Sequence, residues 1–120
     1  MDNEDLWNGQ GNCLIYSFGI STDWSFEDAL DELGCQIYAF DPTVNYPARR
    51  GNNIFFEALG LSDDNEKENY FTLKTILQGM RHLNRNINYL KVYYITLAYT
   101  FYAAILLTYP KSRIEESIVQ

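Results

Sequence analysis

Residues 13–42 constrain the fold more than any other part of the chain, because two strand patterns flank one helical pattern there. The apolar and aromatic run at 13–18 predicts a strand buried on both faces, and Gly19 ends it. A second run at 36–40 predicts another strand, which ends at Asp41-Pro42 because proline cannot donate a ladder hydrogen bond. A strand, a helix and a strand in such close succession predict two parallel strands.

The segment between these strands has the spacing of an amphipathic helix. Thr22 and Asp23 precede it as candidate N-cap residues, and Gly34 follows it where a left-handed C-cap is expected. Its apolar residues recur at the three- and four-residue spacing of one helix face: Phe26, Ala29, Leu30 and Leu33.

The same alternation continues further along the chain. Residues 54–59 predict a third strand, and residues 87–92 predict a fourth. Between them, a second amphipathic helix is predicted from the spacing of Leu73, Ile76, Leu77 and Met80. Residues 43–53 and 62–69 are expected to be loops. The order β-α-β-β-α-β predicts an α/β fold with a mostly parallel sheet covered by helices.

Composition limits the size of the domain and the kinds of partner that it can have. With 120 residues, 47% of them hydrophobic, the chain is long enough for one small domain with a core. The formal net charge of −7 argues against a nucleic-acid-binding protein, because such proteins contact phosphates through clustered Lys and Arg. Eight acidic residues and no Lys or Arg occur in residues 1–34. Asp2, Glu4 and Asp5 predict a solvated tail, and Asp28, Asp31 and Glu32 predict the wet face of a helix, with an acidic docking patch as the alternative.

The cysteines and the histidine are too few and too far apart for a zinc site. Cys13 and Cys35 each stand at the start of a predicted strand, and we expect reduced, buried thiols there. A disulfide stays open as the alternative, because parallel neighbouring strands would bring the two thiols close together. His82 lies in the last turn of the second predicted helix, where the helix dipole favours it, and we expect it at the surface.

A glycine and an acid are spaced as in a nucleoside-binding site. Gly19 ends the first strand, where the backbone can approach a ligand, and Asp41 ends the second strand, 22 residues later. An acid about 20 residues after the glycine turn accepts hydrogen bonds from ribose hydroxyls. Ser21 and Trp24 replace the later glycines of a dinucleotide fingerprint, which favours a cofactor without phosphates. The alternative is that Gly19 only turns the chain and Asp41 only caps a strand.

Several motifs occur in an order that resembles the methyltransferase-domain family containing methyltransferase-like protein 24. They are LIYSFGI at 14–20, DWSFE at 23–27, GC at 34–35, FDP at 40–42 and LGLS at 59–62. The resemblance covers roughly residues 12–92 and implies a class I fold, which is a doubly wound, Rossmann-like sheet that binds S-adenosylmethionine.

The resemblance also implies roles for individual residues. Ser17, Phe18, Gly19 and Ile20 would form the first cofactor loop. Asp41 would hold the ribose with Pro42 beside the adenine, and Leu59 and Gly60 would line the adenine side. It implies a small-molecule cofactor and an acceptor that the sequence does not identify. No catalytic residue and no metal ligand can be assigned.

The chain departs from the family pattern at the end of the fourth predicted strand. Tyr93 and Ile95 stand where the family has acids, so we predict a methyltransferase fragment that has kept the first half of the cofactor pocket and lost activity. The expected divisions are a tail at 1–12, a partial domain at 13–92 and an apolar tail at 93–120. The uncharged run at 92–109 supports an alternative, a non-catalytic remnant that binds a membrane or a partner.

Overall fold

A six-stranded, mostly parallel sheet forms the centre of the fold. The structure is a computed structural model, and it describes residues 13–20, 22–92 and the strand at 117–119. The strands in chain order are β1 Leu14–Phe18, β2 Gln36–Phe40, β3 Arg49–Arg50, β4 Ile54–Glu57, β5 Gly60–Leu61, β6 Tyr70–Phe71, β7 Tyr89–Val92 and β8 Ser117–Val119. The helices are α1 Ser25–Glu32 and α2 Leu73–Met80.

The strand order in the large sheet is β3-β4-β2-β1-β7-β8. Strands β4, β2, β1, β7 and β8 are parallel to their neighbours, and β3 pairs antiparallel with β4. From β1 the chain moves outward through β2 to β4 and then returns to β7, on the other side of β1. The strand order therefore reverses between β1 and β7, and the carboxyl ends of the parallel strands meet at one edge.

The two helices pack against opposite faces of the sheet. Alternation along β1 sends Leu14, Tyr16 and Phe18 to one face, where they form a core with α2. Cys13 and Ile15 lie on the other face and pack in a core with α1. This mixed α/β arrangement, with a helix on each face, confirms the predicted class and is compatible with part of a Rossmann-like fold.

Some predicted boundaries were wrong, and local turns explain the differences. The third predicted strand ends at Glu57, because the Leu59 N–H turns back to the Glu57 carbonyl. Gly60 and Leu61 then form β5, which pairs with β6 in a separate two-stranded sheet. The loop predicted at 43–53 contains β3, which Gly51 joins to β4 through a turn with a positive φ of 60°. Leu33 lies beyond the last residue of α1 and is half exposed.

Cys13 and Cys35 form a disulfide, the alternative that the sequence had left open. Their Cα atoms lie 4.9 Å apart, just before β1 and β2 begin. Both side chains are fully buried in the core under α1. The bond therefore ties the two central strands together at their amino ends, opposite the edge where the predicted site lies.

The surface position predicted for His82 was wrong. Its side chain is buried, and its Nδ1 lies 2.7 Å from the Tyr16 hydroxyl. The ring also packs edge-on against Tyr38, with centroids 4.7 Å apart. The chain turns inward after α2 and places the imidazole under the sheet. The position of His82 near the end of the helix therefore did not indicate that its side chain is buried.

The burial of His82 predicts a pH-dependent stability. Burial, with a smaller contribution from Arg85, lowers the pKa of His82 below its ordinary value, because the charged imidazolium loses hydration. The unfolded chain therefore binds this proton more tightly. The contribution to stability is complete above the ordinary pKa and is lost as the pH falls through the lowered one.

We expect the melting temperature to fall more steeply between pH 7.5 and 5.5 in the wild type than in His82→Gln. Thermal melts followed by circular dichroism measure the difference. His82 is the only histidine of the chain, so its replacement removes the one side chain whose ordinary pKa lies in this range. Identical pH slopes for the two proteins would contradict the prediction.

No helix in the part of the chain that the structure describes is long and apolar enough to cross a membrane. The uncharged run for which we considered a membrane segment lies almost entirely outside the described residues. The same is true of the predicted tail at 1–12, and of Tyr93 and Ile95.

Candidate functional site

The predicted cofactor loops lie side by side at the carboxyl edge of the sheet. Gly19 follows β1 with a φ of 90°, a conformation that favours glycine. Its N–H donates a 2.8 Å hydrogen bond to the carbonyl of Phe40, the last residue of β2. The turn after β1 is therefore folded against the end of β2.

Asp41 connects the same two loops through its side chain. Its Oδ2 accepts a 2.9 Å hydrogen bond from the N–H of Ile20, and its Oδ1 accepts bonds of 2.9 and 2.6 Å from the N–H and hydroxyl of Thr43. The residue is only 4% exposed. Buried bonds to a charged acceptor are strong, so Asp41 fixes the position of the first loop relative to the second.

A charged cluster lies beneath the edge between β1 and β7. The Ser17 hydroxyl donates a 2.5 Å hydrogen bond to Oε2 of Glu27, which extends from α1. The Lys91 ammonium, on β7, donates to the same oxygen at 3.2 Å. Ser17 and Lys91 face each other in register across the two strands. Glu27 therefore joins the ends of β1 and β7 through one carboxylate oxygen.

The other carboxylate oxygen of Glu27 is an exception to the rule that buried polar groups are paired. Glu27 is fully buried, yet its Oε1 has no hydrogen-bond partner among the described residues. The indole N–H of Trp24, one helical turn earlier, also lacks one there. A buried acid beside a cation and with an unused oxygen is unusual in a purely structural core, because desolvation of a charge is costly.

Asp23 lies in the exposed turn between Gly19 and α1. Its carboxylate accepts hydrogen bonds from the N–H and the hydroxyl of Ser25, the first residue of α1. These bonds, assisted by the nearby Lys91 ammonium, lower the pKa of the Asp23 carboxyl. The N-cap position is Trp24, which makes no side-chain cap hydrogen bond, so the predicted N-cap at Thr22 or Asp23 was wrong.

Pro42 and Gly60 meet where the loops after β2 and β4 approach each other. A Cβ placed on Gly60 would lie 3.1 Å from Pro42 Cγ and 2.5 Å from the Tyr70 ring. The close approach therefore requires glycine at this position. Two of the predicted adenine-side residues are thus adjacent in the structure.

We expect Gly60→Ala to lower the free energy of unfolding by about 1–3 kcal/mol, because the added methyl overlaps a packed ring. Gly79→Ala is the matched control, since Gly79 is an exposed residue of α2 and a Cβ there meets no atom within 4 Å. It should raise stability by about 0.5–1 kcal/mol through helix propensity. Urea denaturation measures the free energy of unfolding of both variants. Equal changes in Gly60→Ala and Gly79→Ala would contradict the packing argument.

Phe18 and Leu59 occupy less direct positions. The Phe18 ring is fully buried and stacks on Phe40 at 4.9 Å, so its side chain belongs to the core. The Leu59 side chain lines a cavity of about 190 Å³ between β4 and α2, together with Phe71 and Met80. That cavity lies on the α2 side of the sheet and includes none of the loop residues that surround Gly19 and Asp41.

The strand order identifies the part of this edge that is suited to a ligand. In open parallel α/β sheets, ligands bind outside the carboxyl ends of the strands, at the point where the strand order reverses. Here that point lies between β1 and β7, beside the Gly19 turn and above the Glu27 cluster. Among the described residues, no group of His, Cys, Asp and Glu could hold a metal ion.

A family model described as a methyltransferase domain matches residues 1–106, which is most of the chain. The chain belongs to this methyltransferase family. Neither a curated protein nor a solved structure matches it. The methyltransferase prediction is thereby confirmed at the level of the family, and methyltransferase domains generally use S-adenosylmethionine.

The family match also bears on the boundaries drawn from the sequence. It begins before residue 13 and continues past Val92, the last residue of the motifs that we recognised. The division into a tail at 1–12, a partial domain at 13–92 and an apolar tail at 93–120 stays a prediction, as does the description of the chain as a fragment.

Glu27 and Lys91 are the site residues that sequence reasoning missed. We predicted the wet face of α1 from Asp28, Asp31 and Glu32 and assigned no role to Glu27, which is fully buried. A usable signal was present, because Glu27 stands three residues after Trp24 and three before Leu30, on the apolar side of the helix. An acid within an apolar helix face predicts a buried partner, and Lys91 is that partner.

Proposed function

We propose that this methyltransferase domain binds S-adenosylmethionine at the carboxyl edge of its sheet. The observation that carries the proposal is the joining of the two loops there, through the Gly19–Phe40 backbone bond and the Ile20–Asp41 bond. Such bonds hold a backbone turn and an acid in fixed positions next to the point of strand reversal. This is the arrangement that a nucleoside cofactor needs.

The residues at this edge fit such a cofactor in chemical character. Gly19 and the loop residues Ser17, Phe18 and Ile20 would surround its centre, largely through backbone groups. Asp41 would hold the ribose as well as bracing the loops. Pro42, Leu59 and Gly60 would border the adenine. These assignments follow the family likeness, and the contacts between Ile20 and Asp41 and between Pro42 and Gly60 support them.

The cofactor, when bound, supplies a methyl group activated by a positively charged sulfur. The chain's own contribution is then to bind and orient, because holding two reactants in line removes much of the entropic barrier to transfer. The acceptor would supply the nucleophilic atom that takes the methyl group. We further infer a specific relationship to the group that contains methyltransferase-like protein 24, and a sheet of the doubly wound type.

Isothermal titration with S-adenosylhomocysteine, the product form of the cofactor, tests the proposal. We expect saturable binding with one site per chain. The matched control is NAD, which should not bind because the later glycines of a dinucleotide fingerprint are absent. A folded protein that shows no heat of binding at millimolar S-adenosylhomocysteine would refute the proposal, and tighter binding of NAD would redirect it to dinucleotides.

A further inference from the structure

Lys91 is a partly accessible cation in a fixed position at the point where the strand order reverses. Its side chain is 14% exposed, so the ammonium is held near the surface and is not sealed in the core. Within the described part of the chain, its hydrogen-bond partner is Glu27, and it also lies 5.0 Å from the centre of the Phe26 ring. An ammonium has three donors, and the carboxylate oxygen of Glu27 uses one of them.

Glu27 cannot itself contact a ligand, because its carboxyl group is fully buried. It can nevertheless hold Lys91 in place, since its Oε2 also receives the Ser17 hydroxyl from β1. The pair therefore fixes a positive charge beside the point of strand reversal between β1 and β7. An isolated lysine would instead sample many rotamers, at an entropic cost on binding.

The order of strands indicates which end of the cofactor would reach this charge. Gly60 follows β4 and Asp41 follows β2, so adenine and ribose would lie on that side of β1. The part of the ligand beyond the ribose would then extend across the end of β1 toward β7. That part is an amino acid, which carries one carboxylate.

We propose that Lys91 binds the carboxylate at the amino-acid end of S-adenosylmethionine, and that Glu27 is the positioning residue that holds Lys91 there. The inference rests on the proposed function and adds a residue that specifies the zwitterionic end of the cofactor.

Two ligands with the same nucleoside test the inference. S-adenosylhomocysteine carries the amino acid and 5′-methylthioadenosine does not, so the ratio of their dissociation constants reports the amino-acid contacts alone. The double variant Glu27→Gln/Lys91→Met removes both charges while keeping the lengths of the side chains, which avoids an unpaired buried acid. We expect the double variant to bind S-adenosylhomocysteine roughly 10- to 100-fold more weakly and to bind methylthioadenosine with unchanged affinity.

Single variants separate binding from positioning. Glu27→Gln keeps Lys91 but loosens it, so we expect a smaller loss that is confined to S-adenosylhomocysteine. Lys74→Met is the control, because Lys74 is an exposed lysine of α2, on the opposite face of the sheet. It should leave both affinities unchanged. An unchanged or higher affinity of Glu27→Gln for S-adenosylhomocysteine would overturn the positioning role.

A measurement on the wild type keeps the inference testable if the double variant does not fold. The methyl ester of S-adenosylhomocysteine lacks the carboxylate charge, and we expect it to bind roughly 10-fold or more weakly than the free acid. Equal binding of ester and acid would overturn the role of Lys91. So would an equal loss of affinity for S-adenosylhomocysteine and methylthioadenosine in the double variant. If no nucleoside binds the folded wild type, the proposed function itself fails.

Discussion

Asp41→Ala is expected to weaken the binding of S-adenosylhomocysteine by roughly 10- to 100-fold and to lower the free energy of unfolding by about 2–4 kcal/mol. The effect on binding has two sources. A charged hydrogen bond to the ribose is lost, and the first cofactor loop loses the bond that holds Ile20 against β2. The effect on stability follows because the Ile20 N–H is left without its buried acceptor.

Calorimetry and urea denaturation of the same samples measure the two effects of Asp41→Ala. Asp41→Asn keeps the shape of the side chain but turns an amide NH₂ toward one of the present donors, so it should reproduce much of the loss in a folded protein. Thr43→Val is the matched control. It removes one bond to Asp41 Oδ1 and leaves the carboxylate in place, so stability should fall by about 1 kcal/mol with little change in affinity. A folded Asp41→Ala protein with wild-type affinity would eliminate the ribose role.

Removal of the disulfide is expected to have a comparably large effect, confined to stability. The double variant Cys13→Ala/Cys35→Ala should lower the free energy of unfolding by about 3 kcal/mol, because the bond closes a loop between residues 22 apart in the unfolded chain. For a domain of this size, that corresponds to a fall in melting temperature of roughly 10 °C. Affinity for S-adenosylhomocysteine should change little, since the bond lies at the amino ends of the strands.

A reducing agent provides the internal control for the disulfide. It should lower the melting temperature of the wild type toward that of the double variant and leave the double variant unchanged. Mass spectrometry after alkylation without reduction counts the free thiols directly. Two alkylated cysteines in the folded, oxidised protein would contradict the bond between Cys13 and Cys35.

The strands and helices that the sequence predicted well depend on neighbouring residues alone. Strand β1, helix α1 and strand β2 follow from apolar spacing within a few residues of each position. Gly34 adopts a positive φ of 86° after α1, as a left-handed cap requires. The third strand was less accurate at its end, because a turn at Glu57 and pairing with a later strand decide where it stops.

The candidate site was predictable only in part for the same reason. Gly19 and Asp41 stand at strand ends, and strand ends can be read from the local pattern. The hydrogen-bond donor to Asp41 Oδ2 is the backbone N–H of Ile20, and a motif of side chains does not predict such a contact. Leu59 lines a cavity with Phe71 and Met80, and this placement depends on the turn after Glu57, which the strand pattern did not predict.

The sequence by itself therefore determined the order of the longer strands and of the two helices, the α/β class and the methyltransferase family. It did not predict the short strands β3, β5 and β6. Only the tertiary structure decided which distant residues meet. Glu27 and Lys91 are 64 residues apart, and Tyr16 and His82 are 66 apart, so neither contact lies within the reach of local periodicity. The disulfide and the buried carboxylate of Glu27 likewise depend on the parallel pairing that places β1 between β2 and β7.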